Sequence, residues 1–248
     1  MHARKFWIQG QPANPGDIRS IVSFGDSLSD TGFSDGHGFG RSSNGPTWVE
    51  YLAERLGARL TCLAWGGART DQGNCSGPKD WSGLSWQIER HAFDGGPEST
   101  LYTILAGVND LFHGNGDPEA TAARLVAAQE RLLEKGARRI LLLTVPDLSR
   151  APAYRTQKEY ADARRTVHEH TLAVNARLLD RLRPGPCMLF DAAGFLEHLL
   201  DHAYRDTAAA WLGSYAFPDP AGHFWWDDWH PMTSVHERLA QAVGAAGD

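Results

Sequence analysis

Near its start the chain carries Gly25-Asp26-Ser27-Leu28-Ser29, and near its end Asp227-Asp228-Trp229-His230-Pro231. A serine hydroxyl is a weak nucleophile at its own pKa and needs a neighbouring base, which in turn needs a partner to fix its tautomer. The tail segment holds both kinds of group. His230 can take the Ser27 proton, and Asp227, three residues earlier, can reach one imidazole nitrogen while the other points outward. Asp228 has the less favourable geometry. Acyl transfer also needs hydrogen-bond donors aimed at the developing oxyanion. Candidates stand in Trp65-Gly66-Gly67-Ala68, where glycine lets a backbone N–H approach a ligand closely, and in Gly107-Val108-Asn109-Asp110, where a side-chain amide can donate. With the Ser27 N–H these make a three-donor hole.

Such groups must be brought together by a scaffold, and apolar, β-branched runs alternating with longer amphipathic stretches supply one: βα units around a parallel sheet. Strands are expected at Ser20 to Gly25, Leu60 to Trp65, Leu101 to Ala106, Ile140 to Val145 and Met188 to Phe190. Helices are expected at Pro46 to Leu56, with Pro46 in the first turn and Gly57 beyond the end, at Ser85 to Phe93, and at Pro118 to Lys135 with Gly136 as terminator. Further helical periodicity covers Gln157 to Leu182 without a break, then Ala193 to His202 and Thr233 to Val243. Ser27, Gly67 and Asn109 then follow the first three strands, at the carboxyl edge where open α/β sheets place their sites. The connections Thr31 to Gly45 and Thr70 to Gly83 lie at that edge too, and Asp206 to Asp228 is an aromatic-rich loop too long for a simple turn.

Each motif has a plainer reading. Gly-x-Ser can be a turn, Asp-x-x-His-Pro a helix start, Gly66-Gly67 a loop, and Asn109-Asp110 a turn and cap. His198 and His202 stand four apart on one helix face, but no His-Glu-x-x-His occurs and no metal or other cofactor is assigned. A metal-dependent phosphodiesterase using Asp26, Asp30, Asp110 and His230 is a rival, and so is a non-catalytic binding module on the same fold. Asp26, Trp65, Trp226 and Trp229 are candidate substrate contacts. Tyr215, Phe217, Phe224, Trp225, Trp226 and Trp229 form either an acyl pocket beside His230 or packing for the last helix.

Composition narrows the class. The 248 residues fit one domain with a substantial core, and no apolar run approaches membrane-spanning length. A formal charge of -6 without a basic stripe leaves no footprint for a phosphate backbone, so nucleic acid is an unexpected partner. A small-molecule, lipid or carbohydrate ester is the expected one. The first ten residues contain no apolar stretch of export length, so a cytoplasmic location is expected, with a secreted or periplasmic one the alternative if a leader has been removed. Cys62, Cys75 and Cys187 permit at most one bridge, and Cys62 to Cys75 could form a loop staple.

Taken together, four blocks in order resemble the SGNH (GDSL) hydrolases: Phe24 to Gly32, Gly66-Gly67-Ala68, Gly107 to Asp110, and Asp227 to Pro231. The stretch Gly40-Arg41-Ser42-Ser43-Asn44-Gly45-Pro46-Thr47-Trp48 is similar to one in the branch containing plant GDSL lipases and the bacterial lecithinase, haemolysin and acyltransferase group. The resemblance implies a flavodoxin-like three-layer α/β/α fold with a five-stranded parallel sheet and no metal. It also implies a ping-pong acyl-enzyme mechanism, with Ser27, Gly67 and Asn109 around the oxyanion. Cys62 stands where relatives often carry asparagine. The expected activity is serine esterase, on short- to medium-chain or acetyl esters, with acyl transfer to an alcohol or sugar, or lipase and phospholipase action, as alternatives from the same residues.

Overall fold

The structure is a computed structural model, and it describes residues 3–10, 15–32, 41–93, 96–182, 185, 187–211 and 222–244. The main sheet contains β1 (Trp7–Gln9), β2 (Ser20–Gly25), β3 (Arg59–Cys62), β4 (Thr100–Leu105), β5 (Ile140–Leu143) and β6 (Cys187–Phe190), in the order β1-β6-β5-β4-β2-β3. The last five run parallel, as expected. The expected count of five is corrected by β1, which adds antiparallel to β6 through Trp7 opposite Phe190 and Gln9 opposite Leu189. Three residues with an irregular register give no period-2 signal, so this edge strand exists only through its tertiary pairing. Every residue of β4 and β5 is buried, as a sheet covered on both faces demands.

Helices α1 (Trp48–Leu56), α2 (Leu84–Arg90), α3 (Val108–Leu111), α4 (Pro118–Glu134), α5 (Ala153–Thr156), α6 (Lys158–Ala161), α7 (Arg164–Arg181), α8 (Ala192–His202) and α9 (Thr233–Val243) complete the described framework. They pack in two groups, α1 with α9 and α8, and α2 with α4 and α7, giving the α/β/α layering. Helix α1 begins two residues later than expected. Thr47 is its extended cap, with its N–H donated to Glu50 Oε2 at 2.7 Å, and Pro46 lies outside. The span expected as one helix from Gln157 to Leu182 is two, α6 and α7. Ala163 N–H closes a turn on the Tyr160 carbonyl at 3.0 Å, with no glycine or proline to announce it. β3 ends at Cys62 rather than Trp65, because the chain bends away toward Gly66, although Leu63 and Trp65 still donate to Ser23 and Gly25. Within the expected Asp206–Asp228 loop, β7 (Asp206–Ala210) and β8 (His223–Trp225) pair as a separate ladder. Tyr215 and Phe217 lie outside the described residues.

The strand order reverses at β2, which lies between β3 and β4, so the carboxyl ends of β2 and β4 open a crevice. Gly25 sits there opposite Leu105, at a φ of +147°, and a Cβ would stand 2.1 Å from the Leu105 carbonyl oxygen. Buried Gln87 of α2 grips the same residue. Its Oε1 accepts the Gly25 N–H at 2.9 Å, and its Nε2 donates to the carbonyls of Gly25 and Ser82, both at 2.8 Å. The strand therefore ends in a fixed place. Gly25→Ala should destabilise the protein by about 3 kcal/mol or more, since both the conformation and the space are closed to a side chain. Denaturant unfolding checks this, and a loss below about 1 kcal/mol would contradict it.

Candidate active site

Ser27 follows Gly25 in a turn closed by N–H groups of Ser29 and Asp30 on the Asp26 carbonyl, each at 3.0 Å. Its Oγ lies 2.9 Å from His230 Nε2. His230 Nδ1 lies 2.8 Å and 3.0 Å from the two Asp227 carboxylate oxygens, an arrangement that places the Nδ1 hydrogen toward Asp227 and leaves Nε2 free to accept. Asp227 Oδ1 also accepts the N–H groups of Trp229 and His230, at 2.8 and 2.6 Å. Burial works to raise the Asp227 pKa, but the hydrogen bond and charge of His230, with those two N–H groups, outweigh it and hold the carboxyl below its ordinary range. Asp228 points elsewhere, accepting Gln157 Nε2 at 2.8 Å.

Neither Ser27 nor Gly67 donates its backbone N–H to another described residue. Gly67 has a φ of +79°, and a Cβ there would stand 2.4 Å from Asn74 Oδ1. Asn74 is buried and organises the turn, donating to the Gly66 carbonyl and Ser82 Oγ while accepting the Ser76 N–H. Asp30 Oδ2 accepts the Gly66 N–H at 2.8 Å, and Asp110 accepts both the N–H and the hydroxyl of Thr70, at 2.9 and 2.7 Å. These two carboxylates thus hold the Gly66 loop against the ends of β2 and β4. Asn109 Nδ2 donates one hydrogen to the Ala68 carbonyl at 3.0 Å, and the second remains for another acceptor.

A cavity of about 500 Å³ opens on these groups. Ser27, Gly66, Gly67, Asn109 and His230 line it, together with the polar or thiol side chains of Ser42, Asn74, Cys75 and Ser76 and the larger side chains of Phe112, His113, Leu148, Tyr160 and Trp229. Of the expected substrate contacts only Trp229 is on this wall. Trp65 is buried and packs edge-on against Trp81 at 5.2 Å, Trp226 packs against the core, and Asp26 is buried beneath the turn. Phe224 and Trp225 are core residues as well. The aromatic wall comes instead from Phe112, His113 and Tyr160, with the last two rings stacked at 5.6 Å and Tyr160 meeting Trp229 edge-on at 4.9 Å. Phe112 and His113 could have been found from their position directly after the Asn109 block. Tyr160 could not, because the helix break that presents it has no local signal.

Cys62 and Cys75 are both free, so the loop staple is not made. The Cys62 thiol donates instead to the Ser29 carbonyl at 3.2 Å. The His198 and His202 rings lie 4.8 Å apart. Among the described residues no group of three or more His, Cys, Asp and Glu side chains gathers as a metal cage, and Asp30 and Asp110 are engaged with backbone amides, unlike the convergent set of the phosphodiesterase alternative.

Asp26 is fully buried. Its Oδ1 accepts the Leu28 N–H at 3.0 Å, and its Oδ2 has no hydrogen-bond partner among the described residues. Burial raises its pKa from 3.8 to about 7, opposed by the Leu28 N–H and reinforced by the charge of Asp110. Because the folded state holds this proton longer than the unfolded chain, the associated stability is complete below about pH 4 and is lost as pH rises through about 7. Asp26→Asn lacks this titration. Between pH 5 and pH 8 the wild type should therefore lose about 1–3 kcal/mol relative to Asp26→Asn in denaturant unfolding. Parallel pH profiles for the two proteins would contradict the burial argument.

The phosphatidylcholine-sterol acyltransferase of Aeromonas hydrophila is 32% identical over 85% of this chain and 70% of its own length. The thermolabile hemolysin of Vibrio parahaemolyticus is 26% identical over 96% of this chain, which spans 66% of the hemolysin's length. In fold, the chain is similar to an acetylxylan esterase from Geobacillus stearothermophilus, with a TM-score of 0.56 and 19% identity over 91% of this chain and 94% of that one. The family model for GDSL-like lipase/acylhydrolase matches residues 21–243, from β2 to the end of α9, and the chain belongs to that family.

Proposed function

We infer that the protein is a serine esterase in which Ser27 is the nucleophile, His230 the general base and acid, and Asp227 the group that orients and stabilises the imidazolium. One observation carries this reading. A continuous hydrogen-bonded chain, Asp227 to His230 to Ser27, ends at a cavity lined by two backbone N–H groups and one amide hydrogen that have no acceptor among the described residues. Attack of Ser27 Oγ on an ester carbonyl transfers the hydroxyl proton to His230 Nε2 and forms a tetrahedral oxyanion. That charge is held by the N–H groups of Ser27 and Gly67 and the Asn109 amide. His230 then returns the proton to the departing alcohol, leaving an acyl group on Ser27, and a water activated by the same imidazole releases the acid.

The cavity supports acetyl to medium-chain acyl esters of uncharged alcohols. Its aromatic residues offer apolar surface, and the Ser42 and Ser76 hydroxyls offer polar partners for the other half of the ester. A second reading, transfer of the acyl group to an alcohol instead of water, is favoured by the 32% identity to an acyltransferase, and it uses the same residues.

Ser27→Ala should lower kcat/KM on p-nitrophenyl acetate by about 10⁴-fold or more, and Asp227→Ala by one to two orders of magnitude less, because Asp227 does not itself react. Near-wild-type activity in Ser27→Ala would overturn the assignment. Across p-nitrophenyl esters from acetyl to palmitoyl, kcat/KM should peak at or below octanoyl, and a maximum at palmitoyl would contradict the substrate class. Product analysis with an added alcohol separates the two readings: free acid supports hydrolysis, and a new ester supports transfer.

A further inference from the structure

The segment Ser43 to Trp48 has no part in the chemistry described so far, yet it touches both reacting loops. At one end, Trp48 Nε1 donates to Ser29 Oγ at 3.0 Å and the Thr47 hydroxyl reaches the Ser29 carbonyl at 3.5 Å, two residues beyond Ser27. At the other, Asn44 Oδ1 accepts the Thr233 N–H at 2.8 Å, three residues beyond His230. The Thr233 hydroxyl donates to the Pro46 carbonyl at 2.8 Å, Tyr51 OH lies 2.8 Å from the same hydroxyl, and the Ser43 hydroxyl reaches the Pro231 carbonyl at 3.5 Å. Gly45 fits tightly here, since a Cβ would stand 2.8 Å from Thr233 Oγ1.

Helix α9 explains why such a contact is needed. Its N-cap position is Met232, whose side chain makes no capping hydrogen bond. The first N–H groups of a helix require outside acceptors. Asn44 supplies one from 189 positions away in sequence. On its inner side the His230 loop is tied to β8, where Met232 N–H donates to the Phe224 carbonyl at 2.8 Å. Its outer side is tied to the Ser43–Trp48 segment.

We propose that Ser43 to Trp48 is a brace that sets the spacing between the Ser27 and His230 loops, with Asn44 as its positioning residue through the trans cap on Thr233. The proposal rests on Ser27 and His230 being the reacting pair. Loss of the cap lets the start of α9 and the preceding His230 turn drift relative to the Ser27 loop. Misplacement of a reacting group by about 1 Å can cost up to about 100-fold in rate.

The test measures kcat and KM on p-nitrophenyl acetate, the rate of Ser27 labelling by a fluorophosphonate, and Tm, for wild type, Asn44→Ala, Asn44→Asp and Thr233→Val. Asn44→Ala should lower kcat and the labelling rate by about tenfold with KM within about twofold. Asn44→Asp, which keeps an acceptor and adds a charge favourable to a helix N-terminus, should restore both. Thr233→Val, which removes the hydroxyl contacts but keeps the N–H, should show a smaller loss in the same direction. A fall in Tm with kcat and labelling unchanged would overturn the proposal in favour of a purely structural role, and failure of Asn44→Asp to rescue would overturn it too. Wild-type protein that is not labelled at Ser27 would instead count against the nucleophile assignment itself.

Discussion

A single contact, Ser27 Oγ to His230 Nε2 at 2.9 Å, joins positions 203 apart, and much of the structure can be understood as what that contact requires. A hydrogen bond of this length tolerates little play, while the loops that carry its two ends belong to opposite termini of the chain. The serine end is fixed by the closest backbone approach at the sheet edge, where Gly25 lies against the Leu105 carbonyl under the grip of Gln87. The histidine end is fixed by a turn that closes on itself: Asp227 accepts the N–H groups of Trp229 and His230, and the His230 carbonyl accepts the Trp226 N–H at 2.8 Å. The Asp227 carboxylate therefore organises its loop and its imidazole together.

Buried carboxylates do related work around the cavity. Asp30 and Asp110 hold the Gly66–Thr70 loop to the ends of β2 and β4, so that Gly67, whose N–H has no acceptor among the described residues, lines the same cavity as Ser27. Leaving N–H groups unpaired and burying charge are both unfavourable in isolation. The fold accepts that cost next to the Ser27–His230 pair and offsets it with the continuous apolar core on which the site stands. Asp26 shows the same tension in its proton affinity, raised by desolvation immediately before Ser27.

The sequence made much of this legible, because strand-end positions and residue types are constrained together. Ser27, Gly67 and Asn109 each follow an apolar run, and each is found at the carboxyl edge of its strand. The five parallel strands and most helices were visible through apolar runs, helical periodicity and the terminal Gly57 and Gly136. What was hidden depended on contacts distant in sequence. β1 is too short to show a period, and the α6–α7 break at 162–163 lacks a breaker residue. Gln87 and Asn74 look like ordinary polar residues until their partners are seen. Aromatic content misled at Trp65 and Trp226, since a large ring near a strand end or a loop serves the core as readily as a substrate wall, and only neighbouring elements decide which.

The central claim is that an ester passes its acyl group to Ser27, and mass spectrometry of protein quenched during turnover of a slowly deacylating ester tests it most directly. The account predicts one acyl group per chain, located by peptide mapping to the segment containing Ser27 and absent from Ser27→Ala. Steady consumption of ester with no adduct at any time, or with the adduct on another residue, would contradict it.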